Sequence, residues 1–325
     1  MKLVTPNEYV AQAAELVRNA KTRVYLISMV IADHPNTNEL FSELKLAAQR
    51  GIEVVVAADI FTFGEVSGGF FPISYYSPGS KDANHMVKIL KKAGVRFYWL
   101  GRGRVTIFNG RTHSKWCVVD DTVFCFGGVN LYDYGVDSID YMFRTYDPAL
   151  ADRLVEEQVR IQRADRRSGN YPSSVVEQGD KKILIDGGII GQSIIYRRAC
   201  ELAEDAESIL FVSQYCPTGK LARILKKKKN VKLYYNKPAN APGLNKFLIG
   251  FSQFVSGLET KYRKKRYLHA KFIVFTYADG TKKAITGSHN FAYSVVLLGT
   301  REIALETADP EIIAQLEEFV KKRVA

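Results

Sequence analysis

One short motif occurs twice in this chain, once in each half. The first copy, at 113–120, has the sequence HSKWCVVD and is followed by GGVN at 127–130. The second copy, at 269–275, has the sequence HAKFIVF and is followed by GSHN at 287–290. A fold that contains both copies is most simply built from a duplicated unit. One histidine per half further predicts a site assembled between two related halves, in which one imidazole attacks and the other protonates.

The order of predicted helices and strands around the two motifs repeats as well. Apolar periodicity predicts helix, strand, helix and strand at 7–20, 22–30, 38–50 and 52–58. The same order recurs at 191–204, 208–213, 218–229 and 231–235. A further helix at 86–93 and a strand at 95–100 precede the first motif. The polar stretch 165–182 lacks this periodicity, so we expect domains at 1–164 and 183–325 with a linker between them.

The balance of charges points to a polyanionic partner. The chain has 46 Lys and Arg against 34 Asp and Glu, a formal net charge of +12, which attracts nucleic acid, anionic lipid or a phosphate-rich substrate, or only favours solubility. No apolar run is long enough to span a bilayer, and the N-terminus lacks the apolar stretch of a signal peptide. The four cysteines have no metal-ligand or disulfide spacing, so we expect a reduced, cytoplasmic protein.

The residue types of the motif suit the binding of a phosphate. Alternating apolar residues after Lys115 predict a strand, on which His113 and Lys115 point to the same face. Lysine acts as a point charge on an oxyanion, Asn130 adds a neutral donor, and Gly128 lets the backbone approach a ligand closely. The alternative is that both H-x-K sequences are coincidental and lie on surface strands without a function. The repeat and the downstream glycines and asparagines disfavour this alternative.

The pattern H-x-K-x4-D-x6-G-G-x-N resembles the phospholipase D superfamily, in particular its bacterial cardiolipin synthase-like members. The paired motifs and the repeated flanking elements extend this resemblance over nearly the whole chain. It implies phosphodiester cleavage through a covalent phosphohistidine, without metal or cofactor. His113 resembles the nucleophile, and His269 resembles the acid that protonates the leaving alcohol. We expect an α/β fold of two tandem phospholipase D-like sandwich halves with mixed sheets, related by a pseudo-twofold.

The resemblance also assigns roles to the remaining site residues. The expected catalytic residues are His113, Lys115, Asp120, His269 and Lys271. The expected phosphate-binding residues are Asn130, Asn290, Gly128 and Ser288. Asp140 and Glu302, ten and twelve residues after the two asparagines, are expected to orient the histidine of their own motif, with Asp137 as a competitor for Asp140.

The second motif departs from the family pattern at one position. Five residues after Lys271 the pattern requires Asp, but residue 276 is Thr. The nearest carboxylate, Asp279, lies in the sequence ADGT, which is typical of a hairpin turn. We therefore expect a hairpin lengthened by four residues and a second motif without its Asp. Tyrosyl-DNA phosphodiesterases of the superfamily also lack this Asp.

Four further segments and three histidines have both a functional and a structural interpretation. The lysines at 226–229 are the solvated end of a helix or a basic patch, and the run 261–266 is a headgroup or backbone clamp or a plain surface strand. The aromatic segment 61–80 is a lid or a membrane-facing flap, and 243–258 is a second apolar segment of the same kind. His289 is a peripheral substrate contact or has no role, whereas His34 and His85 are expected in loops.

Three functions follow from these observations. The first is a phosphatidyltransferase or phospholipase that acts on anionic glycerophospholipid and binds the inner face of the cell membrane peripherally. The second is a nuclease or DNA-end phosphodiesterase of the same superfamily, for which the basic run would follow a nucleic-acid backbone. The third is a polyanion-binding protein without activity, which the intact His-Lys pairs disfavour. The acceptor alcohol, the choice between transfer and hydrolysis, and the oligomeric state stay open.

Overall fold

The structure is a computed structural model that describes residues 1–67, 76–101, 110–179, 181–241 and 243–325. The chain divides into two compact units. The first contains 1–125, 129–137 and 141–170, and the second contains 126–128, 138–140 and 171–325. Two three-residue segments from the N-terminal half of the sequence therefore belong to the second unit.

The first unit is built on a mixed sheet that, within the described residues, has seven strands. In chain order they are β1 (Lys2–Val4), β2 (Arg23–Ser28), β3 (Glu53–Asp59), β4 (Arg96–Leu100), β5 (Trp116–Val119), β6 (Thr122–Cys125) and β7 (Met142–Tyr146). Their spatial order is β1-β7-β6-β5-β2-β3-β4. Strands β2, β3 and β4 are parallel, and the other neighbours pair antiparallel.

The second unit repeats this design. Its described strands are β8 (Ser174–Gln178), β9 (Lys181–Gly187), β10 (Ser208–Val212), β11 (Asn230–Tyr234), β12 (Phe272–Thr276), β13 (Lys282–Gly287) and β14 (Arg301–Thr307). Their spatial order is β11-β10-β12-β13-β14-β9-β8. The order β3-β2-β5-β6-β7-β1 in the first unit therefore corresponds strand by strand to β11-β10-β12-β13-β14-β9 in the second, with the same pairing directions. The predicted α/β fold with two tandem mixed-sheet halves is confirmed.

The helices follow the same repeat. The first unit has α1 (Pro6–Arg18), α2 (Pro35–Gln49), α3 (Phe61–Glu65), α4 (Pro78–Lys92), α5 (Asp133–Asp137) and α6 (Pro148–Arg166). The second has α7 (Ile194–Asp205), α8 (Gly219–Lys227), α9 (Gly243–Ser256), α10 (Tyr293–Leu298) and α11 (Pro310–Phe319). Helix α4 begins eight residues before its predicted start at 86, because its first two turns are polar; Ser77 caps it by accepting a hydrogen bond from the Ser80 N–H at 3.1 Å. Residues 68–75 of the aromatic segment 61–80 lie outside the described residues.

The alternation of side chains on β5 shows how the sheet of the first unit is covered on both faces. Cys117 and Val119 lie in the core cluster formed with α1 and α2. Trp116 points the other way, because its indole N–H donates to Gln158 of α6 at 3.0 Å. Successive residues of a strand alternate between faces, so the sheet lies between two helical layers, as the predicted sandwich requires.

The segment predicted as a linker, 165–182, contains a strand. Helix α6 ends at Arg166 and β8 begins at Ser174, and β8 pairs antiparallel with β9 at the edge of the second sheet. All its residues are exposed or half-buried, so β8 has no apolar face that the sequence could reveal. The division between the units falls at Asn170, inside the predicted segment.

Asp120 holds the turn between α1 and β2. Its carboxylate accepts hydrogen bonds from the backbone N–H groups of Lys21, Thr22 and Arg23, at 2.9 to 3.1 Å, and from the Thr22 hydroxyl at 2.7 Å. Burial alone would raise the pKa of Asp120, but the Thr22 hydroxyl and these backbone donors outweigh it and lower the pKa. Asp120 follows β5 whereas Lys115 precedes it, so the two residues lie at opposite ends of this strand. The contacts of Asp120 support a structural role in place of the expected catalytic one.

In the second unit, Thr276 occupies the position that corresponds to Asp120, so the turn has no aspartate there. The predicted hairpin is present, since the Tyr277 N–H donates to the Thr281 carbonyl at 2.9 Å and the Asp279 side chain accepts from Thr281. The corresponding turn before β10 is held instead by the Glu207 N–H, which donates to the Thr276 carbonyl at 2.9 Å. Lys228 adds a hydrogen bond to the Ala206 carbonyl at 2.7 Å. These hydrogen bonds hold the turn without an aspartate at that position.

We expect Asp120→Asn to lower the free energy of unfolding of the first unit by about 1–2 kcal/mol, because hydrogen bonds to a charged acceptor are lost. Asp121→Asn is the matched control, since its carboxylate is 40% exposed and 3.6 Å from the Arg23 guanidinium. Both tryptophans, Trp99 and Trp116, lie in the first unit, so urea unfolding followed by fluorescence measures this unit. Equal unfolding midpoints for the two variants would contradict the structural role.

Candidate active site

The first H-x-K sequence lies immediately before its strand. Residues 113–115 precede β5, which begins at Trp116, and His113 and Lys115 are both buried. The Lys115 Nζ donates a hydrogen bond to the carbonyl oxygen of His113 at 2.6 Å. The prediction that both side chains lie on the strand is therefore wrong. The ammonium group turns back onto the backbone of the histidine two residues earlier.

The second H-x-K sequence has the same geometry. Strand β12 begins at Phe272, directly after Lys271, and the Lys271 Nζ donates to the carbonyl oxygen of His269 at 2.6 Å. His269 and Lys271 are also buried. An ammonium group has three N–H donors, and this hydrogen bond uses one of them. Both lysines are thus held at a fixed position beside their histidine.

Burial has a measurable consequence for Lys271. The side chain is fully buried, and this burial lowers the pKa of its ammonium group to about 8, although Asp140 and Glu302 act in the opposite direction. Removing a cation from water favours its neutral form, and the two carboxylates only partly offset this effect. An anion bound beside Lys271 would favour the charged form in the same way.

The carboxylate of Asp140 contacts the histidine of the second motif. Its Oδ2 lies 2.7 Å from Nδ1 of His269, and the Asp140 side chain is fully buried. The backbone supports this contact, since the N–H groups of His269 and Ala270 both donate to the Ile139 carbonyl at 3.0 Å. We correct the expectation that Asp140 orients His113. Proximity in sequence suggested that pairing, but segment 138–140 packs in the second unit.

Gly128 makes room for this carboxylate. A Cβ atom built on Gly128 would lie 2.6 Å from Asp140 Oδ2 and 3.0 Å from the carbonyl oxygen of His269. The glycine was expected to let the backbone approach a phosphate. Its observed neighbours are instead the two residues of the carboxylate–histidine pair, so any side chain at 128 would displace them.

Two hydroxyl groups of the second unit contact the carboxylate of Glu302. Its carboxylate accepts hydrogen bonds from the hydroxyls of Ser288 and Thr300, the latter at 3.0 Å. The expected partner of Glu302 was His269, whose Nδ1 is adjacent to Asp140 instead. Ser288, expected to bind phosphate, also accepts from the Ile303 N–H at 3.0 Å, so its hydroxyl is engaged within the sheet.

The two motif asparagines are both buried. Asn130 Oδ1 accepts from the Val30 N–H at 3.3 Å and lies 3.5 Å from the Ser28 hydroxyl, which orients the amide so that its NH2 group is the end available for a ligand. The Oδ1 of Asn290 has no hydrogen-bond partner among the described residues. A buried amide oxygen without a partner is costly in a folded protein, and the missing bond requires a donor such as a hydroxyl group or water.

Two buried contacts near the motifs were not singled out from sequence. The Arg111 guanidinium pairs with Asp59 at 2.9 Å, and the Thr112 N–H donates to the same carboxylate at 2.9 Å, which fixes the chain just before His113. The sequence could have pointed to Asp59, because it is a charged residue at the end of the buried strand β3.

Asp186 is the register partner of Glu302 in the second sheet. Burial raises the pKa of Asp186 to about 7, with Glu302 acting in the same direction.

The remaining histidines have structural positions. His289 is fully buried and its Nδ1 accepts from the Phe291 N–H at 2.8 Å. His34 caps α2 by accepting from the Asn36 N–H at 3.3 Å. His85 lies within α4, so its expected place in a loop is wrong. Across the described residues, no group of three or more His, Cys, Asp or Glu side chains is arranged to hold a metal ion.

Because the pKa of Lys271 is lowered to about 8, we expect a bound anion to be lost as the pH rises through that value. Diethyl phosphate is a suitable probe, because its single negative charge is constant over this range. Its affinity, measured by calorimetry, is expected to fall about tenfold between about pH 7 and about pH 9.5. Lys271→Arg should remove most of this dependence, since guanidinium stays protonated. An unchanged affinity in the native protein would contradict the prediction.

We expect Gly128→Ala to separate Asp140 from His269, because the new Cβ would lie within 2.6 Å of the carboxylate. The chain has only five histidines, so nitrogen-detected NMR of the imidazoles can identify His269 by comparison with His269→Gln. The Nδ1 signal of His269 should shift in Gly128→Ala and in Asp140→Asn. Gly169→Ala is the matched control, since a Cβ there makes only ordinary contacts. A signal unchanged in Gly128→Ala would refute this account of the glycine.

Comparison with known proteins agrees with the motif and the fold. Residues 14–161 match the family model described as "Cardiolipin synthase, PLD-like domain". Cardiolipin synthase B of Salmonella typhi is 31% identical over 152 residues, which are 43% of this chain and 33% of that protein. The same values hold for cardiolipin synthase B of Salmonella typhimurium. The match thus spans about a third of the length of these curated relatives.

Solved structures extend the likeness of the fold to the whole chain. Phosphatidylserine synthase of Haemophilus influenzae Rd KW20 aligns with a TM-score of 0.74 and 16% identity over 100% of this chain and 86% of that chain. Polyphosphate kinase from Porphyromonas gingivalis aligns with a TM-score of 0.62 and 11% identity over 98% of this chain and 49% of that chain. At these identities the likeness establishes the fold alone. Residues 14–161 are thus similar to the phospholipase D-like domain of cardiolipin synthases, and the paired motifs agree with this similarity.

Proposed function

We propose that this protein cleaves or transfers a phosphodiester of anionic glycerophospholipids through a phosphohistidine, in the manner of a cardiolipin synthase. The observation that carries the proposal is the repeated H-x-K geometry, in which each half holds a buried ammonium group against the backbone of its histidine. A site with two such groups stabilises the negative charge that grows on phosphate oxygens in the transition state.

In the first step the neutral imidazole of His113 attacks phosphorus. A bond forms between nitrogen and phosphorus as the bond from phosphorus to the leaving alcohol oxygen breaks. Protonated His269 gives its proton to that oxygen, so the alcohol leaves neutral. Asp140, 2.7 Å from Nδ1 of His269, stabilises the imidazolium form and holds the ring so that Nε2 carries the transferable proton.

The second step reverses these roles. Water or a second alcohol attacks the phosphohistidine, and neutral His269 takes the proton from the attacking oxygen. The bond from phosphorus to His113 then breaks, which regenerates both histidines. Lys115 and Lys271 bind the non-bridging oxygens in both steps, where their ammonium groups offset the negative charge that develops. The amide groups of Asn130 and Asn290 are further donors.

Several observations support a lipid substrate. The curated relatives are named cardiolipin synthase B, and the family model that matches 14–161 is described by the same activity. The net charge of +12 favours an anionic lipid surface. We therefore propose that the protein binds the inner face of the cell membrane peripherally, with phosphatidylglycerol as donor of the phosphatidyl group.

No helix in the described parts of the chain is long and apolar enough to cross a bilayer.

The test is incubation of the purified chain with phosphatidylglycerol vesicles in excess chelator, with lipid products identified by mass spectrometry. We expect cardiolipin if transfer dominates and phosphatidic acid if hydrolysis dominates. His113→Ala should abolish the product, because no other group in the site forms the covalent intermediate, and His269→Ala should reduce the rate at least about 10²-fold. Acid quenching during turnover should trap label from the phosphatidyl group on the wild-type protein.

His34→Ala is the matched control, because His34 lies outside both motifs, where it caps α2 and contacts Asp133. Circular dichroism establishes that each variant is folded. Product formation by folded His113→Ala would refute the proposed nucleophile. No lipid product from the wild-type chain, combined with chelator-resistant cleavage of single-stranded DNA, would replace this function with the nuclease reading.

A further inference from the structure

Helix α9 has an apolar face that is exposed to solvent. We define its phenyl face as Phe247, Leu248, Phe251, Phe254 and Val255, all of which are exposed. At 100° per residue these five positions lie on one side of the helix. Phe254 is 87% exposed and Phe247 is 68% exposed, and the rings of Phe247 and Phe251 stack with their centroids 6.4 Å apart. Contiguous exposed apolar patches are uncommon on soluble proteins and mark binding surfaces.

The opposite side of α9 attaches the helix to the second unit. Ile249 is fully buried, the Tyr215 hydroxyl donates to Asn245 Oδ1 at 2.6 Å, and Ser256 Oγ lies 2.8 Å from Cys216 Sγ. Asn245, Ile249 and Ser256 are spaced by four and seven residues, so they share the side away from the phenyl rings. These contacts determine the orientation of α9 and keep the phenyl face outward.

Cations surround this face. Within α9 the only charged residue is Lys246, and the following run 261–266 has the sequence KYRKKR. In the whole stretch 243–266 the single carboxylate is Glu259. Of the cations in the run, Lys261, Arg263, Lys265 and Arg266 are exposed. An apolar face bordered by cations is the composition of a helix that lies in the interface of an anionic membrane.

Contacts through one short turn keep the basic run next to α9. The turn Pro238–Asn240 packs against the helix, since a Cβ on Gly250 would lie 3.6 Å from Pro238. The Asn240 side-chain amide donates to the carbonyl oxygens of Lys264 and Lys265, at 2.8 and 3.1 Å. At the C-terminal end of the helix, the Lys226 ammonium group lies 3.5 Å from the Cβ position of Gly257. Cations therefore border the helix on more than one side.

We propose that α9 is a membrane-docking helix, whose phenyl face enters the interface of an anionic phospholipid bilayer while the run 261–266 contacts the headgroups. A second copy of this chain is the less suitable occupant, because pairing two phenyl faces would bring two basic runs together in a protein of net charge +12. The run 261–266 ends three residues before His269, so docking through α9 brings lipid headgroups near the second motif. The inference deepens the proposed function and rests on it for its purpose.

The test is flotation of the full chain with vesicles, which measures binding without turnover. We expect binding to vesicles of phosphatidylglycerol and phosphatidylcholine, little binding to phosphatidylcholine alone, and weaker binding as salt is raised. Phe254→Ser should weaken binding to the mixed vesicles about tenfold, because a phenyl ring no longer enters the interface. Tyr146→Ser, at a residue 73% exposed in the first unit, is the matched control and should bind like wild type.

Folded Phe254→Ser that binds mixed vesicles as tightly as wild type would overturn the inference. So would a wild-type dimer in sedimentation that Phe254→Ser converts to monomer, since a second copy would then cover the phenyl face. Failure of the proposed function is a separate result. If the wild type docks through Phe254 but yields no lipid product, the docking helix is supported and the proposed function is refuted. If the protein turns over lipid but Phe254→Ser docks like wild type, the function is supported and the docking helix is refuted.

Discussion

A buried ammonium group constrains each of the two H-x-K motifs more than any other feature. Each is placed by one hydrogen bond to the carbonyl oxygen of the histidine two residues earlier, at 2.6 Å in both halves. Burying a cation is costly unless opposite charge or hydrogen bonds compensate it, and the lowered pKa of Lys271 is the visible result. Asp140 and Glu302 only partly offset the burial of Lys271, so a phosphodiester bound there would stabilise its charged form further.

The second constraint is that two short segments from the N-terminal half of the sequence pack in the second unit. Segments 126–128 and 138–140 bring Gly128 and Asp140 to His269. The acid–base histidine is thus oriented by a carboxylate that lies 129 residues earlier in the chain. Neither half of the sequence contains a complete carboxylate–histidine pair for the second motif, which ties the chemistry proposed for His269 to the folding of both halves.

Charge and apolar exposure combine on one element outside the motifs. Helix α9 is attached through Asn245, Ile249 and Ser256, which leaves its phenylalanines facing water next to a basic run. Phosphate chemistry by itself does not distinguish a lipid from a nucleic acid, because both offer the same diester. An apolar surface bordered by cations favours the lipid, since a bilayer supplies both an apolar region and anionic headgroups.

The duplication, the α/β class and the position of both motifs followed from the sequence alone, because apolar periodicity and the paired H-x-K patterns are local signals. The sequence also predicted the lengthened hairpin at Asp279 and the loss of the Asp at Thr276. Contacts between distant segments were decided only by the tertiary structure. Asp140 pairs with His269, and Asp120 holds a turn about a hundred residues earlier, because a carboxylate binds whichever donors the fold brings to it. Distant contacts also determine which side of α9 faces solvent. Its other side contacts Tyr215 and Cys216, which lie about 30 to 40 residues earlier in the chain.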